Sequence, residues 1–158
     1  MPQRPGDPPR DIKFAFIGYR DHPHPPEEPE HPHPPEEPEE GFYVTKVQPL
    51  SDELTIADFV SKIVCAGGGD RPEAVLDGLK AAIDETAWRE KSMRFIFHIG
   101  DAPSHGLEYT GKKSGDYWPG GCPCNITLDS LVPKFEKKHI KYTFLKISSY
   151  PNLMAQIF

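Results

Sequence analysis

The chain has 158 residues, a normal length for one domain with a working hydrophobic core. Its formal net charge is −6, from 24 acidic and 18 basic residues, but seven of the acids (Glu27, Glu28, Glu30, Glu36, Glu37, Glu39 and Glu40) fall in one Pro-rich stretch; without them, 17 acidic residues face 18 basic ones. That balance argues against nucleic-acid binding, which needs a clustered basic face, and no apolar run reaches the ~18 residues of a membrane-spanning helix.

Residues 1–11 are rich in Pro and charge and are expected to be disordered; they lack the apolar core of a secretion signal, so a soluble, cytoplasmic chain is expected. Ile12 to Gly18 reads as a strand of near-continuous apolar character, suited to a central place in a mostly parallel sheet. Residues 22–39 are then a perfect tandem copy of His-Pro-His-Pro-Pro-Glu-Glu-Pro-Glu. Proline cannot donate to a ladder and the glutamates repel, so a disordered, polyproline-like surface insert over 22–40 is expected, rising about 3.1 Å per residue where extended. Its histidines His22, His24, His31 and His33 are of metal-ligand type, but flexible ligands gain little preorganisation, and the expected state is a solvated repeat.

Phe42 to Val47 reads as a second strand, a hairpin partner of the first. Ser51 and Asp52 can cap a helix through about Val64, with Leu54, Ala57, Phe59, Val60 and Ile63 at helical spacing. After Gly67-Gly68-Gly69, Pro72 suits the first turn of another helix, whose apolar face is Val75, Leu79, Ala82 and Ile83. Arg94 to Ile99 is a third strand. A helix from about Thr127 to Lys138 follows a Gly-, Pro- and Tyr-rich loop, with Pro133 expected to make its start irregular. Tyr142 to Ile147 is a last strand, and Asn152 to Phe158 opens a helix. Alternating strands and helices predict an α/β fold with a doubly wound, Rossmann-like, mostly parallel sheet.

Three cysteines, Cys65, Cys122 and Cys124, do not make a disulfide framework. Cys122-Pro123-Cys124 has the form of half a thiolate metal site, but zinc needs four ligands and there is no second pair, so free thiols are expected.

Two loops set an acidic residue among Gly and Pro: Gly67 to Glu73, with Asp70, and Gly100 to Gly106, with Asp101. Asp101 comes straight off a strand, where α/β folds place ligands, and with Asp70 on the same rim would suit a hard divalent cation. Both also fit local roles, Asp101 forming a turn and Asp70 capping a helix, while Glu73 favours the helix N-terminus and His105 a packed, hydrogen-bonded position. The triple glycine lies between two helices and lacks a nucleotide-loop signature. Asp101, Ser104 and His105 are hydrolytic residue types without a Gly-x-Ser-x-Gly elbow. Tyr109, Tyr117 and Trp118 either line a rim or pin their loop to the sheet's end.

Four segments, Phe14 to His22, Gly67 to Val75, His98 to Gly106 and Asp116 to Gly120, together resemble the von Willebrand factor A domain, in the intracellular group found with alpha-type protein kinases. The resemblance implies a partial domain over 12–158 acting as a noncatalytic protein-interaction module. It also implies a metal-ion-dependent adhesion site, with Mg²⁺ held by Asp101 and Asp70 and completed by an acidic side chain of a partner. Arg20, Asp21, Arg71, Ser104, His105, Tyr117 and Trp118 would form the surrounding rim. The family's Asp-x-Ser-x-Ser loop is absent from the 158 residues. The resemblance therefore implies a truncated copy without the first central strand and last elements, with weak cation binding and an incomplete sheet open to strand addition or self-association. The alternative expectation is a fragment of an alpha-type kinase or a small metal-dependent hydrolase using Asp70, Asp101 and His105.

Overall fold

A computed structural model describes residues 11–23, 42–65, 69–111 and 115–158. Its elements are β1 (Phe14–Tyr19), β2 (Thr45–Ser51), α1 (Glu53–Ser61), α2 (Val75–Asp84), β3 (Arg94–Gly100), α3 (Leu107–Thr110), α4 (Leu128–Lys137) and β4 (Ile140–Lys146). A 3₁₀ turn at Tyr150–Asn152 and α5 (Met154–Ile157) follow. No helix among them is long and apolar enough to cross a membrane. The predicted insert lies outside the described residues from 24 to 41, but His22 does not belong to it structurally: its side chain is buried.

The fold is mixed α/β. β1 and β2 pair antiparallel, with Tyr19 opposite Thr45, as the hairpin reading requires. β3 and β4 pair parallel, Arg94 opposite Ile140 through Gly100 opposite Lys146, with α4 in the crossover between them. These are two separate two-stranded sheets, not the single doubly wound sheet expected; no ladder joins β1 to β3 among the described residues. Side chains bridge the two pairs instead. Tyr19 Oη lies 2.7 Å from His98 Nε2, and His98 Nδ1 lies 2.7 Å from Tyr142 Oη.

Helix α2 is the centre of the core. Val75, Leu76, Leu79, Ala81, Ala82 and Ile83 are all buried on it. Around them cluster Tyr109, Cys122, Leu131, Ile140 and Met154, with Tyr19, Ile96, Tyr142 and Phe144 packed against the cluster. Gly78 permits the approach: a Cβ there would sit 2.7 Å from Tyr19 Cδ1. The helix therefore needs glycine despite its low helix propensity.

Several local expectations shift. β2 starts at Thr45, because Arg20 N–H donates to Val44 O and closes the pair there; Pro49 is tolerated since a two-stranded sheet is all edge. Helix α1 has its cap at Asp52, whose carboxylate accepts from Thr55 N–H, but no residue of α1 is buried. Its contact face is Ile56, Phe59 and Ile63, with Phe59 and Phe16 rings 6.0 Å apart, while Leu54 and Val60 face outward. A sheet only two strands wide offers it a narrow platform. Pro133 lies inside α4 and leaves its start regular, because Thr127 and Ser130 form a reciprocal capping box. Residues 107–110, read as loop, form the short α3.

Two predictions follow from this core. Gly78→Ala gains about 1 kcal/mol of helix propensity but overpacks the Tyr19 ring, at a typical cost of about 1–3 kcal/mol. The expected net effect is a lower melting temperature, read by thermal denaturation; an unchanged or higher value would contradict the close packing. Burial also pushes His98 from 6.5 down to about 4, so the fold holds a neutral imidazole that the unfolded chain protonates first. Its contribution is complete above pH 6.5 and is lost as pH falls through that range to about 4, up to about 3 kcal/mol. Denaturant titrations over pH 4–7 should show this loss, and His98→Gln should flatten it.

Candidate functional site

Three chain segments meet where β1 and β3 end. Glu73 N–H donates to Pro103 O at 2.9 Å, Glu73 and Ser104 form an isolated parallel bridge, and Ala74 N–H donates to Arg20 O at 3.1 Å. Backbone pairing thus stitches the loop before α2 to the loop after β3 and to the exit of β1. The two loops singled out in the sequence share one rim.

At the centre His105 is fully buried, 0 % exposed, between two carboxylates. Its Nε2 lies 2.6 Å from Asp21 Oδ1 and its Nδ1 lies 3.0 Å from Asp116 Oδ1. Burial works against a charge on the ring, but the bonds to Asp21 and Asp116 outweigh it and raise its affinity for a proton. A carboxylate oxygen at each nitrogen favours the protonated ring, which can donate to both. Asp116 is held in turn by Gly106 N–H and Trp118 N–H, each at 2.8 Å, and Asp21 Oδ1 also accepts from His22 N–H at 2.6 Å.

More acid surrounds this clamp. Burial pushes Asp70 up to about 6, against the Tyr117 N–H that it accepts at 2.5 Å, and neighbouring Asp21 adds to the rise. Burial, then the charges of Asp21 and Asp101, push Glu73 up to about 7. Asp70 Oδ1 and Ser104 Oγ are buried with no hydrogen-bond partner among the described residues. Asp21, Asp70 and His105 offer ligand-type atoms that all lie within 4.8 Å of one another.

The rim residues fall into distinct places. Asp101 is exposed and its carbonyl accepts from Ser148 Oγ; its carboxylate enters no three-residue donor group among the described residues, though its charge acts on Glu73. Asp70 does not cap α2, whose N-cap is Ala74 without a side-chain bond; the Glu73 backbone joins the strand-end loop through Pro103 O and accepts from Val75 N–H, the first residue of α2, at 2.7 Å. Arg71 lies 5.2 Å from the Tyr150 ring, and with Gly69, Asp70, Gly115 and Tyr117 it lines a shallow surface pocket. Arg20 stacks 3.9 Å over Tyr43 and donates to Val64 O at 2.5 Å, which anchors it to the β2 side. Tyr117 is exposed and Trp118 half-buried, whereas Tyr109 is core, edge-on to Phe158. Asp116 has the most buried role that sequence reasoning missed; its place in the Asp116 to Gly120 motif was the only signal.

No protein-family model matches this chain. Over 86 residues, 54 % of the chain, it is 43 % identical to "Alpha-protein kinase vwkA" of Dictyostelium discoideum. The match covers 13 % of that protein, so the chain spans about an eighth of the length of this relative.

Glu73 yields a stability test. The folded chain holds its proton to about pH 7, the unfolded chain only to 4.5, so between these values the folded state binds more protons and loses stability as pH rises. Glu73→Gln should remove that loss and be more stable than the parent at pH 8 by roughly 1–2 kcal/mol, solvent screening included. Chemical denaturation of both proteins at pH 5 and pH 8 measures it; equal slopes would refute the assignment.

Proposed function

We propose that this chain is a von Willebrand A-type interaction module, related to segments that accompany alpha-type kinases, whose rim keeps a weakened divalent-cation site. The observation that carries this reading is that two buried oxygens, Asp70 Oδ1 and Ser104 Oγ, have no hydrogen-bond partner among the described residues, on loops shared with Asp21, Glu73 and Asp101. Hard oxygen donors gathered on one rim suit Mg²⁺. Asp70 is the main ligand, Asp101 supplies charge from the open side, and the acidic side chain of a protein partner completes the shell. Without an Asp-x-Ser-x-Ser loop, few protein oxygens remain and binding is weak. The 43 % identity to an alpha-protein kinase supports the family placement.

The hydrolase alternative draws no support from this geometry. His105 would have to be its base, and both ring nitrogens are already engaged by carboxylates. Kinase activity belongs to the named relative.

The test is a Mg²⁺ titration followed by calorimetry and thermal melting. The parent chain should bind with a Kd of about 10⁻⁴–10⁻³ M and melt higher with excess Mg²⁺. Asp70→Asn should abolish both effects and Asp101→Ala should weaken them. Identical melting with and without Mg²⁺ in all three proteins would remove the cation from the proposal.

A further inference from the structure

The Cys122-Pro123-Cys124 turn reads in sequence as half of a metal site, and the fold brings up a second half from two distant places. His22 leaves the end of β1, and Asp77 sits in the first turn of α2. Ligand atoms of His22, Asp77, Cys122 and Cys124 all lie within 4.8 Å of one another. His22 Nε2 is 3.0 Å from Asp77 Oδ2 and 3.5 Å from Cys122 Sγ, and Cys122 Sγ is 3.0 Å from the same Asp77 oxygen. The His22 side chain is 5 % exposed and that of Asp77 11 %. Cys122 is buried and Cys124 stands at the surface.

We propose that His22, Asp77, Cys122 and Cys124 form a four-ligand zinc site. Tetrahedral zinc, with Zn–S of about 2.3 Å and Zn–N of about 2.0 Å, holds a sulfur and a nitrogen about 3.5 Å apart. The His22–Cys122 separation meets that value, and the two contacts of Asp77 need to open by a few tenths of an ångström. Two thiolates with an imidazole and a carboxylate select zinc over the hard cations. Four protein ligands leave no open position, so the ion is structural. It would staple the exit of β1, helix α2 and the loop entering α4, three segments otherwise far apart in sequence.

The site is separate from the carboxylate rim but shares a wall with it. His22 follows Asp21 directly, and the rings of His22 and His105 lie 5.8 Å apart. Zinc held by His22 would fix the backbone that aims Asp21 at His105.

The full chain, purified without an affinity histidine tag, should carry a single equivalent of zinc by elemental analysis. Replacing zinc with Co²⁺ should give thiolate-to-cobalt charge transfer in the near ultraviolet and intense tetrahedral visible bands. Cys124→Ser, at an exposed position, should lose much of the charge transfer, and His22→Gln should weaken retention of the metal. A His24→Gln, His31→Gln, His33→Gln triple variant should keep both stoichiometry and spectrum, which separates this site from the repeat. A strong zinc chelator should lower the melting temperature of the parent by about 10 °C. Cobalt bound without thiolate charge transfer, metal lost with the repeat histidines, or a melting temperature indifferent to zinc and chelator would each overturn the proposal. All of these readouts are taken without Mg²⁺, so failure here and failure of the Mg²⁺ reading remain distinguishable.

Discussion

The contact between Gly78 and the ring of Tyr19 sets the distances on which the rest of the molecule depends. It lets α2 lie against β1 at backbone range, and from there the Tyr19 hydroxyl reaches His98 on β3. Two-stranded sheets are marginal alone. Here each is held by the same helix, and a chain of three side chains, Tyr19, His98 and Tyr142, replaces the missing ladder. Burial keeps each member neutral, raising the phenols and lowering the imidazole. A neutral chain of donors and acceptors is what a low-dielectric gap between sheets tolerates.

The same strand end then divides the polar chemistry. Asp21 and His22 are consecutive residues just past the end of β1. Asp21 turns to His105 and the oxygen-rich rim; His22 turns to Asp77 and the sulfurs. Two adjacent residues thus serve two neighbouring donor groups, one without sulfur and one that includes it. On the oxygen-rich side Asp70 and Glu73 are raised mainly by burial, with the neighbouring carboxylates Asp21 and Asp101 adding to the rise.

What the sequence displays well is whatever has a short period. The buried face of α2, the Asp52 cap, the third strand and the hairpin partnership of β1 and β2 were readable because propensity, capping and burial agree there. The face of α1 was misjudged because its apolar residues spread too widely for periodicity to choose among them, and only the narrow sheet decides. Site partners were harder. Asp21 and His105 are 84 residues apart, and Cys122 and His22 are 100 apart. His22 is further disguised: it opens a repeat in which His31 is followed by the same residues, so composition assigns both to solvent. What buries His22 is its place just past the end of β1.

The parallel pair β3–β4 extends this argument to the surface. Its inward residues, Ile96, His98, Tyr142 and Phe144, pack on the core, while Phe97 is 65 % and Ile99 60 % exposed on the opposite face. Ile99 stands opposite Leu145, itself exposed, so the apolar residues adjoin across the ladder. Parallel strands are ordinarily covered on both faces, and contiguous exposed apolar surface marks contact with another protein. Among the described residues only one face is covered. The described residues thus leave Phe97, Ile99 and Leu145 on an uncovered face of β3–β4, while the acidic loops gather where β1 and β3 end.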